Sequence, residues 1–300
     1  MRLSLHRRDR INRAVMIGPA VLVIGIFMIL PLGLMGYVSV LARGTYGQVL
    51  WGEFSGIAYM NILFEHRLDG SFGVNLDYAT IFLRSFWLAL TTMVIALAVG
   101  FPTALYMSLQ PERYRNLLIF MVTIPFWTNL LVRNYAWILL LRDTGLVNHG
   151  LQWLGLTSEP ITLLYTDFSV AVGLTYSFLP FMVLPIYASL EKIDFRLVEA
   201  AYDLYASRLQ ALRRVLLPLA LPGIISGSLL VFVPCLGSYV TPALLGGSKS
   251  LLIGNLIQLQ FGAARNWPFG SALAFVLLAI VLLTMTVYLL RQRRGKGRPA

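Results

Sequence analysis

Six stretches of mostly apolar residues, each long enough to cross a bilayer, set what this chain can become. They run near Ala14 to Leu41, Ser85 to Leu109, Asn116 to Leu141, Phe168 to Leu190, Pro222 to Leu245 and Phe269 to Leu290. A helical span needs about 20 such residues to cross roughly 30 Å of hydrocarbon. Lipid offers no partner to a backbone N–H or C=O, so only helices or closed barrels survive in it. Barrel strands alternate apolar and polar side chains over about 10 positions, and continuous runs such as VLVIGIFMIL exclude them. The expected fold class is therefore an all-α membrane protein with six transmembrane helices. Composition agrees, since 58% of the 300 residues are hydrophobic and 12% charged, too apolar for a water-soluble fold of this size.

Charge gives the orientation. Arg2, Arg7, Arg8, Arg10 and Arg13 precede the first run, and Arg291, Arg293, Arg294, Lys296 and Arg298 follow the last. Lys and Arg concentrate in cytoplasmic loops, and an even number of spans puts both tails on one side. Residues 1–13 and 291–300 are thus expected as cytoplasmic basic tails around a transmembrane domain over 14–290. The first run is about twice as long as a signal-peptide core, so it is expected to stay as a helix. Pro111 to Arg115 and Glu191 to Pro218 carry further cations and are placed inside. Ala42 to Arg84, Arg142 to Asp167 and Gly246 to Pro268 hold most of the acids, including Glu53, Glu65, Asp69, Asp77, Asp143, Glu159 and Asp167, and are placed outside. The net charge of +11 is a topology signal and calls for no nucleic-acid partner. Leu146 to Leu156 is expected as a short surface helix, and the apolar Leu251, Leu252, Ile253, Leu256 and Ile257 are expected to fold back on the bundle.

Catalytic patterns are missing from the sequence. The one cysteine, Cys235, lies inside an apolar run and forms neither disulfide nor metal site. His6, His66 and His149 fit no metal-binding spacing. GGSKS, Gly246 to Ser250, fails as a phosphate loop because Ser248 separates glycine from lysine.

One connector is polar and helix-patterned instead. In and just before Glu199 to Pro218, EAAYDLYASRLQALRRVLLP, the positions Leu197, Ala201, Leu204, Leu212 and Leu216 recur at helical steps and predict one apolar face. Glu199, Asp203, Arg213 and Arg214 then meet water or a partner. Glu199-Ala200-Ala201, with Val215, Leu217 and Pro218 at offsets of sixteen, eighteen and nineteen, resembles the cytoplasmic EAA loop of ABC importer permeases. The family has glycine where this chain has Tyr205, at a bend between two short helices. Positive φ costs a tyrosine about 1 kcal/mol or more, so the bend is expected to be made differently or at Ala206-Ser207. LGSYVTPALLGG, Leu236 to Gly247, together with PFWTNLLVRNYAW, Pro125 to Trp137, is similar to the spermidine/putrescine permeases.

That resemblance implies a type I (MetI-like) bundle in the inner membrane with a coupling helix in 191–218, docking through Glu199, Ala200, Ala201, Asp203, Leu204, Tyr205, Arg208 and Pro218. It implies a dimer of ABC ATPase subunits, a second permease subunit and a solute-binding protein as partners. It implies no cofactor in this chain, because ATP and magnesium belong to the ATPase, and no catalysis. A polyamine pathway needs carbonyls, hydroxyls and aromatic faces, and the candidates are Phe126, Trp127, Asn129, Tyr135, Tyr176, Ser238, Tyr239 and Thr241, with Pro234 and Gly237 exposing carbonyls nearby. Tyr and Trp at helix ends also serve as interfacial anchors. Arg133 would repel a polycation and is expected to tie helices together. Another cationic amine or small organic solute remains an alternative substrate. An ion-coupled secondary transporter is the rival class, disfavoured because the apolar runs contain no acids for ion coupling.

Overall fold

The computed structural model describes residues 2–66, 72–247 and 251–296. Asp69, the Ser248 to Ser250 part of GGSKS and Arg298 lie outside the described residues. Two compact units result, one from the chain up to Leu76 together with the part from Ile257 onward, the other from Asp77–Leu256.

In the second unit α3 (Asp77–Leu109), α7 (Asp167–Leu190) and α10 (Leu217–Gly237) pack most extensively. The middle member is α7, whose apolar stretch is 61% buried. Thr166 starts it with a capping box, its hydroxyl accepting from the Ser169 N–H while the Ser169 hydroxyl accepts from the Thr166 N–H. Small residues let the backbones approach. A Cβ on Gly223 would lie 2.5 Å from the Pro185 carbonyl oxygen, and one on Gly227 3.0 Å from that of Met182. Ala89, Ala96, Ala104 and Gly100 do the same along α3. Lipid supplies no hydrophobic drive between helices, so close van der Waals contact at small residues holds such a bundle together. An ion pair joins the starts of α3 and α7, Arg84 Nη2 to Asp167 Oδ1 at 2.7 Å, and a second ties the end of α7 to the helix that follows α3, α4 (Glu112–Trp127), Glu191 Oε1 to Arg115 Nη1 at 3.7 Å.

Two of the expected spans are broken. Asn116 to Leu141 divides into α4 (Glu112–Trp127) and α5 (Leu130–Leu141), and α4 meets the following helical stretch at 90°. Thr128 is extended there, and the Asn129 side chain caps α5 by accepting from the Leu131 N–H at 2.8 Å. Pro222 to Leu245 likewise divides at Ser238 into α10 and α11 (Val240–Leu245). Among the described residues five helices remain long and apolar enough to cross a membrane, and the bent pair makes up to six. The short helix after α5 is α6 (Leu146–Trp153). Of the apolar residues expected to fold back, Leu252, Ile253 and Leu256 are buried and Ile257 partly so, the last three in α12 (Ile253–Phe261), while Leu251 is exposed.

In the first unit α1 (Arg2–Ser39) runs against α13 (Trp267–Lys296), with Phe275 closely apposed to Gly36. Helix covers 2–13 and 291–296 of the residues expected as basic tails. Sequence reading gave no structure to 42–76, where the antiparallel pair β1 (Leu41–Arg43) and β2 (Val49–Phe54), the short α2 (Ile57–Met60) and a second pair, β3 (Phe64–His66) with β4 (Phe72–Val74), are found. Three- to six-residue strands give too little periodicity to detect.

Replacing Gly223 with valine should force α10 off the fixed Pro185 carbonyl and destabilise the fold by about 1–3 kcal/mol, read as a lower melting temperature in detergent. Gly25→Val, where nothing lies within 4 Å of the new Cβ, should leave it unchanged.

Candidate functional site

The polar connector folds as two short helices and a widened turn. Asp194 Oδ1 accepts from the Arg196 N–H at 3.0 Å and starts α8 (Arg196–Asp203). Glu199 falls in its first turn, where the helix dipole favours a carboxylate. The helix ends in a Schellman motif: the Tyr205 N–H bonds to Tyr202 O at 2.9 Å and the Ala206 N–H to Ala201 O at 3.0 Å. That motif requires a left-handed residue at its turn, and Tyr205 provides it with φ 60°. The expectation that the bend would be made elsewhere is thus corrected: the tyrosine itself occupies the conformation reserved for glycine, with a side chain 97% exposed. Ser207 then opens α9 (Arg208–Ala211) with a second capping box to Gln210. A π-turn over Leu212–Leu216 leads into α10, closed by the Leu217 N–H on Leu212 O. Pro218, which has no N–H to give, follows at the second position of α10.

The expected single apolar face is corrected as well. Val198, Ala211 and Leu216 are the buried residues, packed with Phe195, Ala201, Leu212, Val215 and Leu105 of α3. Leu197 and Leu204 are exposed, because the turn at Tyr205 restarts the helical register and no continuous wheel runs from Leu197 to Leu216. Glu199, Ala200, Tyr202, Asp203, Leu204, Tyr205, Arg208 and Leu209 form the outward surface.

Arg115 fastens this end of the bundle, which sequence reading missed. Its Nε donates to Gln110 O at 2.6 Å and its Nη2 to Ser108 O at 3.0 Å, closing the end of α3. Glu191, its ionic partner, accepts at 2.8 Å from the Tyr187 hydroxyl. The only signal available was position, a basic residue one turn past a helix end.

The pathway candidates separate into two places, one at each break. Beside the first, Thr128, Val132, Arg133, Trp137, Leu140 and Tyr176 line a groove of about 280 Å³. Buried Arg133 donates to the carbonyls of Pro125 and Thr128, the latter at 3.0 Å, and its guanidinium lies 5.8 Å from the centre of the Tyr176 ring. It ties α4, α5 and α7 together, as expected. The ring face of Tyr176 is therefore engaged by a cation already. Phe126 stacks edge-on against Phe181 of α7 at 5.4 Å, and Trp127 and Tyr135 stand exposed. At the second break Tyr239 is exposed and its carbonyl accepts from Asn255 Nδ2 at 2.9 Å. Ser238 is half-buried, while Thr241 is 1% exposed and packs at the glycine surface of α7, where a Cβ on Gly173 would lie 2.9 Å from its Cγ2. Among the described residues no group of three His, Cys, Asp or Glu is arranged to hold a metal ion.

Tyr205→Gly should relieve about 1 kcal/mol of backbone strain and slow hydrogen exchange at the Ala206 amide; Tyr205→Ile should speed it. Arg133→Leu should leave the Pro125 and Thr128 carbonyls unmet and cost about 1–3 kcal/mol, read as a lowered melting temperature.

Residues 96–296, from within α3 to the end of α13, match the family described as binding-protein-dependent transport system inner membrane component. The spermidine/putrescine transport system permease protein PotB of Escherichia coli (strain K12) is 44% identical over 211 residues, spanning 70% of this chain and 77% of that protein. The protein of the same name from Haemophilus influenzae is 45% identical over 211 residues, 70% and 74% of the two chains. Among solved structures, a chain of the bacterial alginate ABC transporter, in complex with its alginate pentasaccharide-bound periplasmic protein, superposes with a TM-score of 0.67 over 100% of both chains at 19% identity, a likeness of fold alone. By the length of the family match and by these identities, the chain belongs to the inner membrane components of binding-protein-dependent transport systems, as a multi-pass ABC permease.

Proposed function

We propose that this permease forms one half of the translocation pathway of an ATP-driven polyamine importer. A permease of this family carries out no chemistry itself; the ATPase and binding-protein partners that its class implies supply the energy and the solute. The assembly comprises two identical ATPases holding ATP and magnesium in the cytoplasm, a second permease, and a binding protein outside. Residues 14–290 form the permease domain, and both basic ends face the cytoplasm with the 191–218 connector. Polyamine as substrate is supported by the names and identity of the relatives.

The observation that carries this reading is the shape of the connector. Its inner side is fixed to α3 through Val198, Ala211, Leu216 and Leu105, while its outer side offers Glu199 and Asp203 among exposed Leu197, Tyr202, Leu204 and Tyr205. A surface of that kind, apolar with aromatic anchors and acids at its edge, suits insertion into a cationic cleft of a soluble partner. Movement of the ATPases then shifts α8, and through Leu105 and Arg115 it reaches α3 and α7, switching the cavity between outward- and inward-facing states. For the solute, exposed Tyr135, Tyr239, Phe126 and Trp127 supply π faces, and Asn129 and Ser238 supply neutral oxygens at the two breaks. Tyr176 is a weaker contact while Arg133 covers its ring, and Thr241 meets solute only if α11 moves.

In proteoliposomes carrying the whole importer, Glu199→Lys should cut ATP-driven uptake of labelled spermidine at least about tenfold with insertion unchanged; full uptake would overturn the coupling role. Wild-type uptake that ignores excess spermidine or putrescine would overturn the substrate.

A further inference from the structure

A second pocket, of about 280 Å³, lies in the first unit between β1, α2 and the start of α13. Its floor is apolar, with buried Leu41 and Ala58. Its polar wall consists of donors with capacity to spare. Arg43 spends Nη2 on the Ala264 carbonyl at 2.9 Å, and its Nε and Nη1 have no partner among the described residues. The Asn61 side chain has none either. Asn266 uses its Oδ1 to accept from the Phe269 N–H at 3.3 Å, leaving its amide hydrogens, and Ser55 Oγ accepts from the Ile57 N–H at 3.3 Å, leaving its own proton. Among the described residues no Asp or Glu lines the pocket.

One guanidinium, three neutral donors and an apolar floor specify a singly charged, planar acceptor on an aliphatic stem. A neutral ligand would leave the fork of Arg43 without its charge-assisted pair, and a phosphate dianion would call for a second cation. From this juxtaposition we infer that the pocket is a carboxylate-binding site, and that its occupant is an Asp or Glu side chain on the docking face of the solute-binding protein. The inference rests on the importer reading above, which places the hairpins outside, where that protein arrives with its load. An acid held there fixes the register of docking and raises the encounter rate.

The test uses the complete importer in lipid nanodiscs and measures the Kd of its binding protein. Arg43→Gln should weaken binding about tenfold. Asn61→Asp, which breaks no existing hydrogen bond but sets a like charge against the incoming acid, should weaken it as much and more steeply at low salt. Basal ATP hydrolysis should stay the same in both. Restoration of affinity by a Lys substitution of one docking-face acid, tested against Arg43→Glu, would identify the occupant. Unchanged affinity in both variants overturns this inference and leaves the importer reading standing. A wild-type complex that binds no such protein overturns both. Glutarate binding that needs Arg43, with binding-protein affinity unaffected, would assign the site to a free acid and overturn the protein-borne occupant.

Discussion

Every break in a membrane helix frees backbone groups that lipid cannot satisfy, and the arrangement of this protein follows from where those groups find partners. The end of α4 is met by Arg133, reaching back from α5 to the Pro125 and Thr128 carbonyls. The end of α11 is met from α7 and the residues just before it, as Leu245 O accepts both the Ser169 hydroxyl and the Tyr165 N–H at 2.9 Å. The start of α12 gives its Ile253 N–H to Ser85 Oγ of α3 at 2.8 Å. Each partner comes from a different helix, so the breaks double as joints.

Packing supplies the rigid part between those joints. Glycine and alanine surfaces on α3, α7 and α10 allow contact too close for any side chain to intrude, and ion pairs tie α7 to the start of α3 through Asp167 and to α4 through Glu191. The pairs are partly exposed and contribute at most about 1 kcal/mol each; their effect is geometric. The connector thus borders the close-packed α3, and the breaks lie beside Asn129 and Ser238.

Tyr205 shows how a local rule yields. Intrinsic preference argues against a left-handed tyrosine, but the Schellman bonds and the capping box at Ser207 fix the backbone from both sides. The turn persists with an aromatic ring standing outward.

The amino-acid sequence by itself determined the solvent, the helical class, the apolar segments and the water-facing connector with its EAA order, because each depends on runs or spacings within one segment. Asn129 and Ser238, which it singled out as polar pathway candidates, fall where two of the spans divide. Tertiary structure alone decided that Asn116 to Leu141 turns through 90° rather than crossing straight, that Val198 and not Leu197 faces α3, and that Arg133 and Arg115 close helix ends. It also gathered Arg43, Ser55, Asn61 and Asn266 around one pocket from segments more than 200 positions apart. These outcomes hang on which distant group satisfies a freed carbonyl or fills a gap, and a linear pattern carries no record of that.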